Sequence, residues 1–496
     1  MPLICIEQQN IDSYPSGEYA WSPDEAYPEY CGVFVSEAPN PVYAMIRDGF
    51  RRLGMDGGNF GRPEWNPLGE VIKSGNTVLL KPNLVMHENP GGLDCLVTHP
   101  SVIRAVLDYV LIALKGSGKV IIGDAPVQSC DFEKLLEDGG YRVLEHYYGE
   151  QGIPVSFLDF RHTVTRRRPD GVLVEEKDRE GVVGGKVVGL GEKSAFSSLA
   201  PDGLKKLRIT NYPPEKLTAH HNASCHEYLV SDALLSADVV INLPKPKTHR
   251  KAGITGAMKN MVGVNADKAY LPHHRTGALA EGGDEYRDVS RIKAARTLLQ
   301  EAVDRADADG KYRKASALLK FSSLLYQVQK LTGAGGDRFS EGSWYGNDTA
   351  WRMISDLQKI VFFADREGKL RDTPQRKMFI VADMIVSGEG EGPLLPTPKP
   401  FGAVILGGDA PLADLLVADL FGIDADRIPS LVHLREREKE RETEVVSNRP
   451  EYDGKLLSGI PAAGHPVKLP SGWAEIAENS GESAGMGADE GKGLRR

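Results

Sequence analysis

Two apolar strands separated by a helix are the feature that most constrains the fold of this chain. Residues 77–81 and 119–123 are short apolar runs typical of buried strands, and residues 98–115 carry a helical pattern between them. Thr98 is suited to cap this helix, and Pro100 suits its first turn. Because a strand, helix and parallel strand connect with a right-handed crossover, the sequence predicts a parallel sheet covered by helices.

Later apolar runs extend this alternation. Residues 239–243, 379–382 and 403–406 are predicted strands, and residues 412–421 a covering helix. The sequence therefore predicts an α/β fold with an open, mostly parallel sheet flanked by helices, and with a β-hairpin insertion and a helical insertion. The predicted divisions are an irregular N-terminal cover (1–70), the first part of the α/β core (71–162), a β-rich insertion (163–210), the second part of the core (211–287), a helical insertion (288–365), the last part of the core (366–430), a C-terminal extension (431–477) and a disordered tail (478–496).

Charge and hydropathy narrow the functional classes. The net charge is −9, so the chain lacks the basic footprint of a nucleic-acid-binding protein, and we expect no nucleic-acid partner. No apolar stretch approaches the roughly 18 residues of a membrane span, and Met1–Glu7 lacks the basic start of a secretion signal. We therefore expect a cytoplasmic protein without a membrane partner, while the sequence leaves the oligomeric state open.

The cysteines are scattered along the chain. They form no C-x-x-C pair and no ferredoxin-like spacing, so the sequence indicates neither a zinc ribbon nor an iron–sulfur cluster. Reduced thiols in a reducing compartment are the expectation. The five cysteines are Cys5, Cys31, Cys95, Cys130 and Cys225.

A basic segment follows the apolar strand at residues 239–243. Leu243–His249 reads Leu-Pro-Lys-Pro-Lys-Thr-His, and Thr255, Lys259 and Asn260 add a hydroxyl, a cation and an amide. In open parallel sheets, ligands bind outside the carboxyl ends of the strands, and a helix predicted to start near Thr255 adds amides that favour negative charge. This pattern predicts an anion-binding site, and the alternative is a solvated basic loop.

A second polar segment contains His273, His274 and Arg275 and has little apolar content. Arginine binds carboxylate or phosphate with two N–H groups at once, and histidine can transfer protons near neutral pH. These residues are therefore candidates for binding the substrate. An ordinary surface loop explains the same composition.

Carboxylates at two strand ends are candidate acid–base groups or ligands of a divalent cation such as Mg²⁺. Glu389 and Glu391 lie in a glycine-rich turn after residues 379–382, and Asp124 ends the strand at 119–123. A histidine-rich group is a further metal alternative, although we interpret it as a polar loop because it lacks paired ligand spacing. That group comprises His220, His221, Cys225 and His226.

Several of these segments together resemble the domain of unknown function 362 family of bacteria and archaea. The matching blocks are Val78–Asn83, Thr98–Arg104, Val120–Asp124, Leu243–Gly263, Gly388–Pro393 and Gly407–Asp414. Other blocks, such as Gly346–Arg352 and Asp372–Lys377, resemble a longer subgroup. Some family members carry cysteine-rich iron–sulfur modules, and this chain lacks those cysteines. The resemblance implies the fold and the site more than it implies a reaction.

The first hypothesis is an enzyme that acts on a small anionic substrate, a carboxylate or a phosphate, by acid–base chemistry. A non-catalytic anion-binding or scaffold protein is the second hypothesis, and a redox-associated protein the third. The cofactor is unassigned, and a divalent metal is an open alternative. The candidate catalytic residues are His99, His249, Lys259, Glu389 and Glu391. The candidate substrate-binding residues are Lys81, Asn83, Lys247, Thr255, Asn260, His273, His274 and Arg275.

Overall fold

A large mixed sheet organises the computed structural model, which describes residues 3–17, 20–167, 173–332, 336–460 and 466–476. The strands are β1 (Leu3–Gln8), β2 (Thr77–Pro82), β3 (Lys119–Asp124), β4 (Phe157–Asp159), β5 (Thr163–Arg167), β6 (Leu173–Asp178), β7 (Gly185–Gly189), β8 (Leu207–Arg208), β9 (Glu227–Ser231), β10 (Val239–Leu243), β11 (Lys247–His249), β12 (Gly253–Thr255), β13 (His274–Arg275), β14 (Lys377–Glu391), β15 (Leu395–Gly407), β16 (Glu444–Ser447) and β17 (Lys455–Leu456). The helices are α1 (Pro41–Arg52), α2 (Pro100–Leu114), α3 (Phe132–Asp138), α4 (Tyr141–Glu150), α5 (Pro201–Lys205), α6 (Pro214–Thr218), α7 (Asp232–Leu235), α8 (Ala257–Asn260), α9 (Arg291–Ala308), α10 (Tyr312–Thr332), α11 (Ala350–Phe363), α12 (Ala410–Phe421), α13 (Pro429–Leu434) and α14 (Arg437–Glu442).

The main sheet has the strand order β17-β16-β1-β15-β14-β10-β2-β3-β4, with β11 joined to β14 and β12 to β11. The block from β14 through β10, β2 and β3 to β4 is parallel, whereas β15 is antiparallel to both β14 and β1. The predicted α/β fold with a mostly parallel sheet flanked by helices is thereby confirmed. Its parallel block brings the carboxyl ends of β2, β3 and β10 to one edge.

The central strands are buried on both faces, as parallel strands covered by helices require. Val239 and Ile241 of β10 pack into one apolar core with α1 and α2, while Val240 packs into a second core with α11 and α12. Alternate side chains of a strand point to opposite faces, so one apolar strand serves both cores. These two cores fix the strand ends rigidly beneath the loops that follow.

The basic segment after β10 forms a hairpin and not a loop. Pro244 and Pro246 lack backbone N–H donors and end β10, after which β11 pairs antiparallel with β12. The hairpin is tied back to the sheet where Lys247 pairs with Gly388 of β14. Its side chains are therefore held by backbone pairing on two sides.

The N-terminal region contains a strand that its sequence did not predict. β1 lies between β15 and β16 in the main sheet, within the region predicted to be an irregular cover. Its apolar run is short, and both of its partners come from the far end of the chain, so no local pattern identifies it. A second difference concerns the β-rich insertion: β5 pairs with β6 as a hairpin, but β7 pairs with β9, outside the predicted boundary.

The helical insertion follows its predicted pattern. α9 and α10 form an antiparallel hairpin that turns at Gly310, and α11 follows as predicted. Gly310 has a φ of +69°, a left-handed conformation that glycine adopts without strain. The predicted disordered tail at 478–496 lies outside the described residues.

Candidate functional site

A cavity of about 490 Å³ lies at the carboxyl ends of β2, β3 and β10. Residues that end or follow these strands form its base, and β11, β12, α8 and the segment after α8 form its sides. The β5–β6 hairpin reaches the rim with Thr165 and Glu176. This is the position at which open parallel sheets bind ligands, as the sequence led us to expect.

Four polar residues that line the base of the cavity, together with Lys81, which is fully buried and lies outside the lining, are here called the floor, and they bond to one another and to nearby backbone. An ion pair joins Lys81 Nζ to Asp124 Oδ1 at 2.6 Å, and both side chains are buried. Asp124 also accepts backbone N–H bonds from Leu84 at 2.6 Å and Ala125 at 2.8 Å. Burial lowers the pKa of Lys81. The floor residues are Lys81, Asn83, Asp124, Lys247 and Asn260.

The ammonium group of Lys247 has no N–H donor left for a ligand. Its Nζ donates to Asn83 Oδ1 at 2.6 Å, to the Leu96 carbonyl at 2.5 Å and to the Lys245 carbonyl at 3.4 Å. An ammonium group has three N–H donors, so these acceptors use all of them. Burial lowers the pKa of Lys247 to about 7. The residue crosslinks β11, the loop after β2 and the segment before α2.

Asn260 has no donor left for a ligand. Its Nδ2 donates to the Lys81 carbonyl at 2.9 Å and to Asn242 Oδ1 at 2.8 Å, while its Oδ1 accepts from Asn83 Nδ2 at 3.2 Å. An amide carries two N–H donors, and both are occupied here. Asn260 therefore holds the floor together, although the sequence had suggested it as a substrate-binding residue.

The floor is packed tightly against the segment after α8. A side-chain carbon added at Gly263 would overlap Oδ1 of Asp124. The Gly263 carbonyl accepts from the backbone N–H of Ala125 at 2.9 Å, which fixes the segment in that place. Glycine is required here because of close approach.

A second set of residues, here called the walls, lines the same cavity with polar atoms that remain unused. Thr255 is 4% exposed, and its Oγ1 has no hydrogen-bond partner among the described residues. Buried hydroxyls normally find a partner, so this one is available to a ligand. The wall residues are His249, Lys251, Thr255, Lys259, Lys268 and His273.

His249 is held as a hydrogen-bond donor. Its Nδ1 accepts backbone N–H bonds from Lys251 at 3.0 Å and Ala252 at 3.1 Å, so the proton of the neutral ring lies on Nε2. Burial, followed by the neighbouring charge of Lys259, holds the pKa of His249 well below its ordinary value. The ring thus remains neutral and offers an Nε2–H donor to the cavity.

His273 has the opposite tautomer. Its Nδ1 lies 2.7 Å from the Leu271 carbonyl, which can only accept, so Nδ1 carries the proton and Nε2 carries a lone pair. Burial, followed by the charges of Lys251 and Lys259, holds the pKa of His273 well below its ordinary value. One imidazole of the walls is a donor and the other an acceptor.

The three wall lysines have spare donors. Lys251 Nζ donates to Thr210 Oγ1 at 3.4 Å, and Lys268 Nζ donates to the Ala125 carbonyl at 2.8 Å. Within the described ranges, Lys259 Nζ makes neither a hydrogen bond nor an ion pair. Burial, followed by the charges of Lys268 and Lys251, lowers the pKa of Lys259 to about 7. Burial lowers the pKa of Lys268 to about 8.

The start of α8 is occupied by a carboxylate of the protein itself. Asp414 of α12 accepts the backbone N–H groups of Ala257 and Met258, the latter at 3.0 Å. Burial raises the pKa of Asp414 to about 7. These amides were predicted to favour a bound anion, but Asp414 already uses them, so they are not free for a ligand.

Glu389 and Glu391 lie at the end of β14 and not in a turn after it. Only Glu391 lines the cavity. Its Oε1 accepts the backbone N–H of Ser471 at 2.7 Å, and its Oε2 lies 3.6 Å from Nε of Arg250. Glu389 instead accepts the backbone N–H of Lys468 at 2.8 Å and lies outside the cavity lining.

His99 lies outside the cavity lining as well. It is the N-cap of α2, where its Nδ1 accepts the backbone N–H of Ser101 at 3.1 Å. Its ring stacks on Tyr14 at 3.8 Å, and its backbone N–H donates to Asp383 at 2.9 Å. Burial lowers the pKa of His99 well below its ordinary value. These contacts give His99 a structural role in the fold.

His274 and Arg275 form β13, which pairs with β8 away from the cavity lining. Arg275 is ion-paired with Asp284 at 3.5 Å and with Asp348 at 2.9 Å. The guanidinium fork is thus occupied by protein carboxylates. Only His273 of this predicted trio faces the cavity.

Two cavity residues that the sequence did not single out have left-handed backbone conformations. Asn211 has a φ of +72° and Glu341 a φ of +53°. Such conformations are costly for residues other than glycine and concentrate at functional sites. Lys251 and Lys268 were also missed as ligand-facing residues. The one sequence signal that could have identified Lys251 was its position inside the family block Leu243–Gly263.

No metal site emerges within the described residues, where no three His, Cys, Asp or Glu side chains converge as ligands. Of the metal candidates, Asp124 is already bonded to Lys81. In the histidine-rich group, His220 Nδ1 lies 2.8 Å from Glu227 Oε1, and His221 Nε2 lies 2.8 Å from the Tyr270 carbonyl.

Comparison with known proteins gives one curated relative and one family. The thylakoid-associated protein sll1697 of Synechocystis sp. is 28% identical over 196 residues, which are 40% of this chain and 41% of that relative. The chain thus matches less than half of the relative's length. No solved structure is significantly similar to the chain. Among the described residues, no helix has the length and apolar character needed to cross a bilayer.

The family comparison covers the cavity. The model of the family described as domain of unknown function (DUF362) matches residues 78–176 and 190–419, well over half of the chain. These ranges contain every floor residue and every wall residue. The resemblance seen in the sequence is confirmed, and the chain belongs to the DUF362 family.

Proposed function

We propose that this protein is an enzyme that binds a small anionic molecule, a carboxylate or a phosphate, and transfers a proton on it. One observation carries the proposal: His249 and His273, held in opposite neutral tautomers, line the same cavity as lysines with unused N–H donors. An acid and a base in one enclosed cavity are the minimum for proton-transfer chemistry.

The anion is assigned to the walls. Lys251 and Lys268 each use one of three N–H donors within the protein, which leaves two on each for a ligand. The Thr255 hydroxyl adds a donor that has no other partner among the described residues. Hydrogen bonds between an ammonium and a carboxylate or phosphate are roughly twice as strong as neutral ones. The floor supplies rigidity, and its Lys247 and Asn260 have no donor left for a ligand.

The proton transfer is assigned to the two histidines. His273 Nε2 carries a lone pair and accepts a proton from the substrate, while His249 Nε2–H donates to the atom where negative charge develops. Their lowered pKa values keep both rings neutral at pH 7, so each is in the form that its role requires. A protein that binds an anion without turnover is the second candidate, because the wall lysines and Thr255 suffice for binding alone.

Binding and turnover are tested separately. Calorimetry measures the affinity for inorganic phosphate and for a panel of short oxo and hydroxy acids, and NMR in D₂O measures deuterium incorporation into each acid. We expect the Lys251→Met, Lys268→Met double variant to lose binding. If wild-type and double variant bind the whole panel equally weakly, the proposal is wrong.

The histidines are each changed to asparagine, which keeps a polar atom near the Nδ1 position and removes Nε2. We expect His249→Asn and His273→Asn to retain binding and to slow deuterium incorporation by about 100-fold or more, the usual size of a general acid or base. The matched control is His146→Asn, since His146 is 78% exposed at the surface. Binding without deuterium incorporation in wild-type protein would instead favour the non-catalytic candidate.

A further inference from the structure

Lys259 differs from the other lysines that line the cavity. Lys247 donates to three acceptors, and Lys251 and Lys268 to one each, whereas Lys259 donates to none of the described residues. Lys259 is partly buried, and an ammonium that lacks an acceptor in such a place is costlier than a neutral amine. The proposed anion site does not require Lys259, because Lys251 and Lys268 have donors to spare.

The surroundings of Lys259 favour the neutral amine. Lys268, Lys251 and Lys81 are the cations that act on it most, and the carboxylate that acts on it most, Asp124, is already paired with Lys81. Burial and these like charges bring its pKa to about 7. A lysine in an apolar or cationic site is activated as a nucleophile, because its lone pair is free at neutral pH.

Acid and base groups lie within electrostatic reach of the same nitrogen. The charge of Lys259 depresses the pKa of both His249 and His273, so both rings are close to it. One ring offers an Nε2–H donor and the other an Nε2 lone pair. The addition of an amine to a carbonyl group needs both.

We propose that Lys259 is a nucleophile that forms an imine with the carbonyl carbon of a small oxo acid. This inference rests on the proposed function and names its substrate class: an anion that also carries a ketone or aldehyde. Lys251 and Lys268 hold the carboxylate, while Lys259 reaches the carbonyl carbon. Apolar residues of the lining, such as Val262 and Leu271, surround the rest of the molecule.

The step balances without an oxidant, reductant or co-reactant. The Lys259 nitrogen forms a bond to the carbonyl carbon, and the C=O π pair moves to oxygen, which accepts a hydrogen bond from His249 Nε2–H. His273 Nε2 takes one proton from the nitrogen and passes it to that oxygen, which gives the carbinolamine. His273 Nε2 then takes the second nitrogen proton and passes it to the hydroxyl, which leaves as water while the nitrogen lone pair forms the C=N bond. Amine and carbonyl thus give imine and water, and the imine lowers the cost of removing a proton from the adjacent carbon.

Borohydride trapping tests the imine directly. The full-length protein is incubated with pyruvate and with longer 2-oxo and 3-oxo acids, reduced with sodium borohydride, and analysed by intact mass and peptide mapping. We expect one adduct per chain, on Lys259, and no adduct in Lys259→Met. The exposed-lysine control Lys205→Met keeps the adduct, since Lys205 is 78% exposed. If an oxo acid binds by calorimetry and Lys259 stays unmodified, the imine is excluded while the anion-binding proposal stands.

A second measurement does not depend on the natural substrate. Limiting formaldehyde with cyanoborohydride at pH 7 methylates lysines through their neutral amines. We expect Lys259 to react at least about tenfold faster than exposed lysines, whose pKa is near 10.4. Reaction of Lys259 at or below the rate of Lys205 would overturn the inference, even if none of the oxo acids tested were bound. Absence of binding to every anion tested overturns the proposed function as well.

Discussion

The floor and the walls of the cavity use the same kinds of residue for different purposes. Lys247 in the floor donates to three protein acceptors, while Lys259 in the walls donates to none among the described residues. The residue type is the same, but neighbouring segments bring acceptors to Lys247, which is fully buried, whereas Lys259 is only partly buried and faces the cavity. Floor residues are therefore expected to determine stability, and wall residues to determine ligand binding and reaction.

The largest effect is expected from breaking the ion pair of the floor. Asp124→Ala leaves the ammonium of Lys81 buried without its partner, and removing one member of a buried pair costs about 3–5 kcal/mol. Urea unfolding measures this loss. The control is Asp202→Ala, which removes an exposed ion pair with Lys205 and should leave stability almost unchanged. Equal losses in the two variants would show that the floor has no special role in stability.

The next effect is steric. Gly263→Ala places a carbon where Oδ1 of Asp124 lies, and overpacking of this kind costs roughly 1–3 kcal/mol. Thermal unfolding should show a lower Tm. The control Gly57→Ala introduces the same carbon where no atom lies within 4 Å, and its Tm should be unchanged. A Gly263→Ala protein as stable as wild type would mean that the floor and the segment after α8 pack loosely.

Removing one ammonium from each region compares them directly. Lys247→Met leaves three acceptors without a donor, and each buried unsatisfied group costs about 1–3 kcal/mol. Lys259→Met leaves no acceptor unpaired and removes a charge that burial disfavours. We expect the first variant to lose stability and the second to gain on the order of 1 kcal/mol at pH 7. The opposite order of stability would contradict the distinction between floor and walls.

The smallest effect is a pH dependence. Burial lowers the pKa of folded Lys259 to about 7, while an unfolded lysine titrates near 10.4, so the unfolded state binds more protons between these values. Stability must then rise with pH across that window, with the full penalty present below about pH 7. The stabilising effect of Lys259→Met should therefore fade between pH 7 and about 10, as measured by urea unfolding at each pH. A gain that is constant with pH would mean that Lys259 has an ordinary pKa.

Much of the fold could be predicted because its signals are local. The helix α2 between β2 and β3 carries its own apolar periodicity and an initial proline, which identify a parallel crossover, although its N-cap is His99 and not the predicted Thr98. β1 could not be predicted, because the strands that make it part of a sheet lie at the other end of the sequence. The pairing of β7 with β9 was missed because α5, β8 and α6 lie between these two strands in the chain.

The location of the site could be predicted more fully than the roles of its residues. The strand ends that carry Lys81, Asp124 and Lys247 converge as expected from a parallel sheet. Their roles depend on acceptors such as the Leu96 carbonyl, which no pattern near Lys247 reveals. Arg275 illustrates the reverse case, since Asp284 and Asp348 occupy a guanidinium that looked available.

The position of β1 has a consequence for how the chain folds during synthesis. β1 leaves the ribosome long before its hydrogen-bonding neighbours β15 and β16 are made. Ile4, Cys5 and Ile6, which are buried in the finished protein, must wait unpaired until those strands emerge. Such late long-range pairing is slow, and it leaves apolar side chains and unpaired strand edges exposed. A chain stalled before β15 would lack the two strands that enclose β1, and chaperone capture of its N-terminus would then be strongest.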